Sequence, residues 1–131
     1  MAKLVFVAVV SVLFAACYGE RMVGAPRELS VDDKGLQEAL RFAMYEYNKG
    51  SNDMYQSRLG KVHNATMQLV NGYKYDMNVE VRRTKCKKPT TDVNGCPFHE
   101  DPTLAKAIMC HFTVVNRMWA SKIFMDTVKC Q

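Results

Sequence analysis

The sequence predicts an α+β domain, with one amphipathic helix packed across a four- to five-stranded antiparallel sheet. Three observations carry that expectation. One apolar stripe of helical period lies between residues 30 and 50. Strict alternation follows in "YKYDMNVEVR". Two more strand-like runs close the chain. A single amphipathic helix cannot bury its own stripe, whereas antiparallel strands with one apolar face can cover it.

The chain has 131 residues, room for one domain. It opens "MAKLVFVAVVSVLFAACYG", with one early cation, Lys3, an apolar run from Leu4 to Ala16, and then small residues. That pattern predicts a secretory signal peptide over residues 1–19, cleaved near Ala16 to Gly19, ahead of one domain over 20–131. The apolar run is short for a membrane span, so stable membrane insertion is not expected. Without Lys3, 17 of the 18 cations remain against 13 anions, a net charge of +4. A charge of that size suits solubility and gives no argument for nucleic acid.

Residues 20–29, "ERMVGAPREL", carry Gly24 and Pro26 without periodicity and read as a mobile arm. Ser30 is the candidate N-cap of the helix, with Asp32 and Asp33 in an acidic first turn. Leu36, Ala39, Leu40, Ala43, Met44 and Tyr47 form its buried stripe, and Lys49-Gly50 ends it. "MYQSRLGKVHNATM" is a less regular strand, with a bulge expected at Gly60. In the next strand Tyr73, Tyr75, Met77, Val79 and Val81 share one face, with Lys74, Asp76, Asn78, Glu80 and Arg82 on the other. "AIMCHFTVVN" and "KIFMDTVKC" are the last two strands, with Met118, Trp119 and Ala120 in the turn between them. The stretch from Thr84 to Leu104 is long for an unstapled loop.

Five cysteines are present, and Cys17 falls in the leader. The other four read as two disulfides, for which three connectivities exist. Sequential pairing, Cys86–Cys96 and Cys110–Cys130, closes two short loops and is the simplest. No C-x-x-C occurs, and Cys110 and His111 are adjacent rather than at ligand spacing, so no metal or other cofactor is expected.

Three apolar points stand outside this core pattern. Leu69-Val70 lie at the tip of a hairpin in "QLVNG", where polar residues belong. Met22-Val23 precede Gly24 in the arm, and Met118-Trp119 occupy the last turn. In a meander, alternate turns fall at one end of the sheet, and a strand before the helix brings the arm there too. Trp119 is the only tryptophan, and exposed aromatics of this kind anchor interfaces. The competing reading tucks Trp119 under its own loop and partly buries Leu69.

In these residues the chain resembles the type-2, or secreted, cystatins, in pattern the cystatin C group. Gln68-Leu69-Val70-Asn71-Gly72 matches the family's Q-x-V-x-G loop, Gly24 its N-terminal glycine, and Trp119 the tryptophan of its Pro-Trp loop. The four cysteines fall where the two family disulfides do, and the likeness covers roughly residues 22 to 131.

The resemblance implies a reversible inhibitor of papain-like (cathepsin-type) cysteine proteases, not an enzyme. Met22 and Val23 would fill substrate-side pockets, Gln68 to Gly72 would enter the cleft centre, and Trp119 would cover the leaving-group side. Gly24 would let the arm bend. Met118 departs from the family's proline, which predicts a more flexible second loop. Ser51-Asn52-Asp53 matches the family segment that inhibits legumain, with Asn52 as the specificity residue; an ordinary polar turn is the plainer alternative. A monomer is expected, with a domain-swapped dimer through the Gln68 hairpin as an alternative state.

Three further expectations compete or add. Asn64-Ala65-Thr66 is an N-glycosylation sequon. A small ribonuclease could use His63, His99 and His111, although no local motif groups them. A non-inhibitory cationic host-defence module would need a basic face, for which "RRTKCKK", Arg82 to Lys88, is the one cluster.

Overall fold

Asp33, not Ser30, caps the helix. In the computed structural model, which describes residues 24–89 and 93–131, the Leu36 N–H donates to Asp33 Oδ1 at 3.0 Å, and helix α1 spans Lys34–Gly50. Ser30 is spent one turn earlier. Its hydroxyl accepts from the Asp32 N–H and its carbonyl from the Asp33 N–H, so a turn precedes the helix. The two candidate caps are three residues apart, and the one nearer the apolar stripe wins because the stripe sets the helix start.

The arm is tied from Gly24 onward, which corrects its reading as mobile over 20–29. Strand β1, Arg27–Glu28, pairs antiparallel with Met67 and Thr66. Met22, Val23 and the candidate signal segment 1–19 lie outside the described residues.

The sheet follows chain order, β1-β2-β3-β4-β5, every neighbour antiparallel. Strand β2 covers Tyr55–Leu69, β3 Tyr73–Lys87, β4 Ala107–Arg117 and β5 Lys122–Cys130. The β2–β3 register slips at Gly60, between Leu59 and Lys61, where a bulge is expected. Strand β3 runs five residues beyond Arg82, because the disulfide loop pairs back on it through a Thr84–Phe98 bridge.

The alternation in β3 sorts as its sequence dictates. Tyr75, Met77, Val79 and Val81 are buried against Leu36, Ala39, Leu40, Ala43 and Met44 of α1, with Ala65, Phe112 and Val114 completing the core. Tyr47 meets the Phe112 ring edge-on at 6.2 Å. Burying side chains of this size contributes roughly 1.5–3 kcal/mol each. A polar suture closes one end of the core. Asn48, 5% exposed, donates to the Met44 and Ser57 carbonyls and accepts from the Ser57 N–H at 2.8 Å.

Both disulfides are the sequential pair. Cys86–Cys96 pins the long connection to β3, and Cys110–Cys130 staples the end of β5 to β4. Each constrains the unfolded chain by roughly 3 kcal/mol.

Candidate functional site

Two hairpin turns share one end of this sheet. The first joins β2 to β3 through Val70–Gly72, and the second joins β4 to β5 through a 3-10 turn at Met118–Ala120. The β1–β2 pairing carries Gly24 to the same end. Its N–H donates to the Leu69 carbonyl at 3.2 Å, and its carbonyl accepts from Gln68 Nε2 at 2.8 Å. The arm and the first loop are thus clasped across more than forty residues of sequence.

The first turn is built by two unusual backbone positions. Asn71 has φ 55° and Gly72 φ 139°, and the Val70 N–H donates to the Gly72 carbonyl at 3.0 Å. Only glycine takes the second conformation readily. Gly72 is also crowded, since a Cβ there would lie 3.0 Å from Arg117 Cγ and 3.3 Å from the Asn116 carbonyl oxygen. Gly24 differs. A Cβ would meet Leu69 Cβ at 3.4 Å, an ordinary contact.

The second turn closes through Ser121, φ 49°, whose N–H donates to the Met118 carbonyl at 3.1 Å. Arg117, at its base, stacks on the Phe124 ring at 5.4 Å and donates from Nε to the Asn71 carbonyl at 3.0 Å. That bond joins the two turns. No sequence motif marks Arg117, and only the register of β3 against β4 brings it beside Gly72.

The apolar side chains on these turns face water. Leu69 is 54% exposed, Met118 63% and Trp119 65%. Trp119 therefore does not tuck under its own loop. Val70 is half-buried and Asn71 exposed.

Ser51, Asn52 and Asp53 lie at the opposite end, before β2 begins. They are braced from several sides. Lys88 Nζ donates to the Asn48 and Ser51 carbonyls at 2.7 and 2.9 Å. The Asp53 N–H donates to Ser51 Oγ at 3.1 Å. Asp53 accepts from the Tyr55 N–H and pairs with Arg83 at 2.7 Å. Burial pushes the Asp53 carboxyl up, yet the Tyr55 N–H and Arg83, with help from Lys106, hold it below the usual carboxylate range. A shallow open cleft runs past Ser51, Asn52, Asp53, Met54, Arg83 and Lys106, and Asn52 is exposed on it. The bracing by Arg83 and Lys88 was legible only as a basic run.

The histidines have separate structural settings. His99 is buried, edge-on to Tyr55 at 4.6 Å. His111 contacts Asn78 and Asp76, and His63 lies exposed on β2. Among the described residues no helix is long and apolar enough to cross a membrane. Asn64 is exposed on the sheet face away from α1, its Oδ1 accepting from Asn78 Nδ2 at 2.7 Å.

Comparison with known proteins gives the same shape. A Cystatin domain model matches residues 24–119. The chain is 46% identical to the Cystatin of Coturnix japonica over 111 residues, covering 85% of this chain and 96% of that one. It is 41% identical to Cystatin-C of Mus musculus over 130 residues, covering 98% and 93%. The crystal structure of dimeric human cystatin F superposes with a TM-score of 0.77 at 27% identity, covering 87% of this chain and 91% of that one. Relatives of this kind are protease inhibitors rather than enzymes, which removes the ribonuclease reading. With the helix, the five-stranded meander, both disulfides and the paired turns in place, the chain belongs to the cystatin family.

Proposed function

We propose that this chain is a secreted, reversible inhibitor of papain-like cysteine proteases that obstructs the active-site cleft with one end of its sheet. The observation that carries this is the clasped rim, in which Leu69, Met118 and Trp119 point into water from turns held together by Gly24–Leu69 and Arg117–Asn71 hydrogen bonds. A preformed wedge loses little entropy on docking, and an interface of this class buries on the order of 800 Å² per partner. Met22 and Val23 would extend the rim into substrate-side pockets, with residues 1–19 removed as a signal peptide on secretion. No peptide bond of the wedge lies in line with the attacking thiolate in this reading, so the inhibitor is not consumed.

Titrating papain with the refolded 20–131 chain tests it. Near-stoichiometric loss of activity is expected. Full papain activity beside a folded, disulfide-bonded chain would overturn it. Trimming the chain past Gly24 measures the arm's share.

A second reading concerns the far end. The braced, exposed Asn52 supports an independent legumain-inhibiting loop at Ser51–Asp53. Asn64 supports N-glycosylation, since its bond to Asn78 engages Oδ1 and leaves Nδ2 for the glycan. The monomer is the working form, and a domain-swapped dimer would exchange through the Val70–Gly72 turn.

A further inference from the structure

The basic run at residues 82–88 is the sequence motif that inhibition leaves unused. The fold breaks it up. Arg83 pairs with Asp53, Lys88 holds the end of α1, and Thr84 is buried. Arg82 goes elsewhere. It lies on the sheet face away from α1, directly across from Arg58 on β2. Like charges placed opposite each other on neighbouring strands repel.

Phe98 holds these two cations together. Each guanidinium carbon is 3.9 Å from the centroid of its ring. Two guanidiniums that close cannot share one face of a ring, so Phe98 is sandwiched and the two forks lie at most twice that distance apart. The ring is itself fixed, by the Thr84 bridge, the Cys86–Cys96 disulfide beside it, and the His99 N–H bond to the Arg83 carbonyl. Among the described residues no carboxylate forms an ion pair with Arg58 or Arg82. The nearby acid, Glu80, lies over Gly60 alongside the methylene stem of Arg82. Arg58 Nε is buried without a hydrogen-bond partner. Lys61, across from Glu80 on the same face, is exposed.

We propose that Arg58 and Arg82, stacked on Phe98, form a binding site for the sulfate esters of a sulfated polysaccharide, with Lys61 extending it along β2. Ring stacking orders both guanidiniums without using their N–H donors, which leaves planar forks suited to tetrahedral oxyanions. An anionic chain relieves the repulsion between them. Nucleic acid fits less well. Single-stranded binders stack bases on open aromatic faces, and both faces of Phe98 are covered by guanidinium. The site is at the far end of β2 and β3 from the Val70–Gly72 turn, so a bound polysaccharide leaves the rim free.

Calorimetric titration with a heparin octasaccharide tests the site on the full 20–131 chain. Arg58→Gln/Arg82→Gln should weaken binding by about tenfold or more and lower the salt dependence by about two counterions. A charge-matched helix variant, Lys34→Gln/Arg41→Gln, should lose far less. Phe98→Leu keeps both charges and should still weaken binding several-fold, as should Arg58→Lys. These two cover the case in which the double variant fails to fold by circular dichroism. Equal losses in the sheet and helix variants would overturn the proposal. So would equal binding of the desulfated octasaccharide or of an oligothymidylate of the same charge.

Discussion

Arg117 Nε donates to the Asn71 carbonyl at 3.0 Å and ties together two turns 46 residues apart. The bond sits where a glycine, Gly72, lets the strands come close enough to make it. It restrains the backbone of the first turn from the base of the second, so both should meet a partner as one surface. Arg117→Ala removes an exposed hydrogen bond worth roughly 0.5–1.5 kcal/mol. The expected result is papain dissociation accelerated by about two- to tenfold, with the unfolding midpoint nearly unmoved. Unchanged dissociation kinetics would mean the two turns act separately.

The rim's two glycines should respond unequally to the same substitution. Gly72→Ala forces a side chain into φ 139° and sets its Cβ 3.0 Å from Arg117 Cγ, for a loss of roughly 1–3 kcal/mol in urea unfolding. Gly24→Ala meets only a 3.4 Å contact and should stay within about 0.5 kcal/mol. Any effect of Gly24→Ala on inhibition would then report on docking, not on the fold. Equal destabilisation by both would contradict this geometry.

Met118 begins the 3-10 turn and is 63% exposed. A proline there fits the first position of a helical turn and fixes φ at a largely exposed position. Met118→Pro should slow dissociation from papain by a few-fold through lower loop entropy, on the order of 0.4–1 kcal/mol. Stopped-flow displacement measures it, and a faster rate would show that methionine's contact area matters more than stiffness.

The period-two run from Tyr73 to Val81 made its strand plain, because one face had to be buried and a slip by one residue would invert it. The helix body was equally plain from its stripe. Its start was not, since Ser30 and Asp33 are both good caps and only packing of Leu36 chooses between them. The rim residues Leu69, Val70, Met118 and Trp119 were visible as apolar side chains in turns. The partners that hold the rim were not. Arg117 finds Asn71, and Arg58 finds Phe98, only through strand register and loop docking. Asn48 carries no sequence signal of its role, since its three bonds to Met44 and Ser57 depend on where β2 begins.

Asn52 can be separated from the rim because it lies at the other end of the sheet. Its loop is shaped by Ser51, Asp53 and Lys88, none of which needs the Asn52 side chain. Asn52→Ala should therefore abolish legumain inhibition, by about a hundredfold or more if a buried specificity pocket is left unfilled, and spare papain inhibition. Parallel titrations of both proteases check it. Retained legumain inhibition would reduce Ser51–Asp53 to an ordinary turn.

The same loop should loosen only under strong acid. The Tyr55 N–H and Arg83 hold the Asp53 carboxyl below its ordinary value against the opposing effect of burial. A depressed folded pKa gives stability that is complete above the unfolded value, near about 4, and disappears as pH falls through the folded one. Asp53→Asn removes the charge that Arg83 pairs with, so the variant should be less stable than wild type by a constant margin from about pH 7 to 5. The margin should shrink below about pH 4, where the unfolded wild-type chain takes up a proton that the folded carboxylate does not yet bind. Urea midpoints at pH 7, 5 and 3 follow this directly. A margin that persisted undiminished at pH 3 would show that Asp53 acts through shape and its bond from Tyr55, with the Arg83 ion pair contributing little.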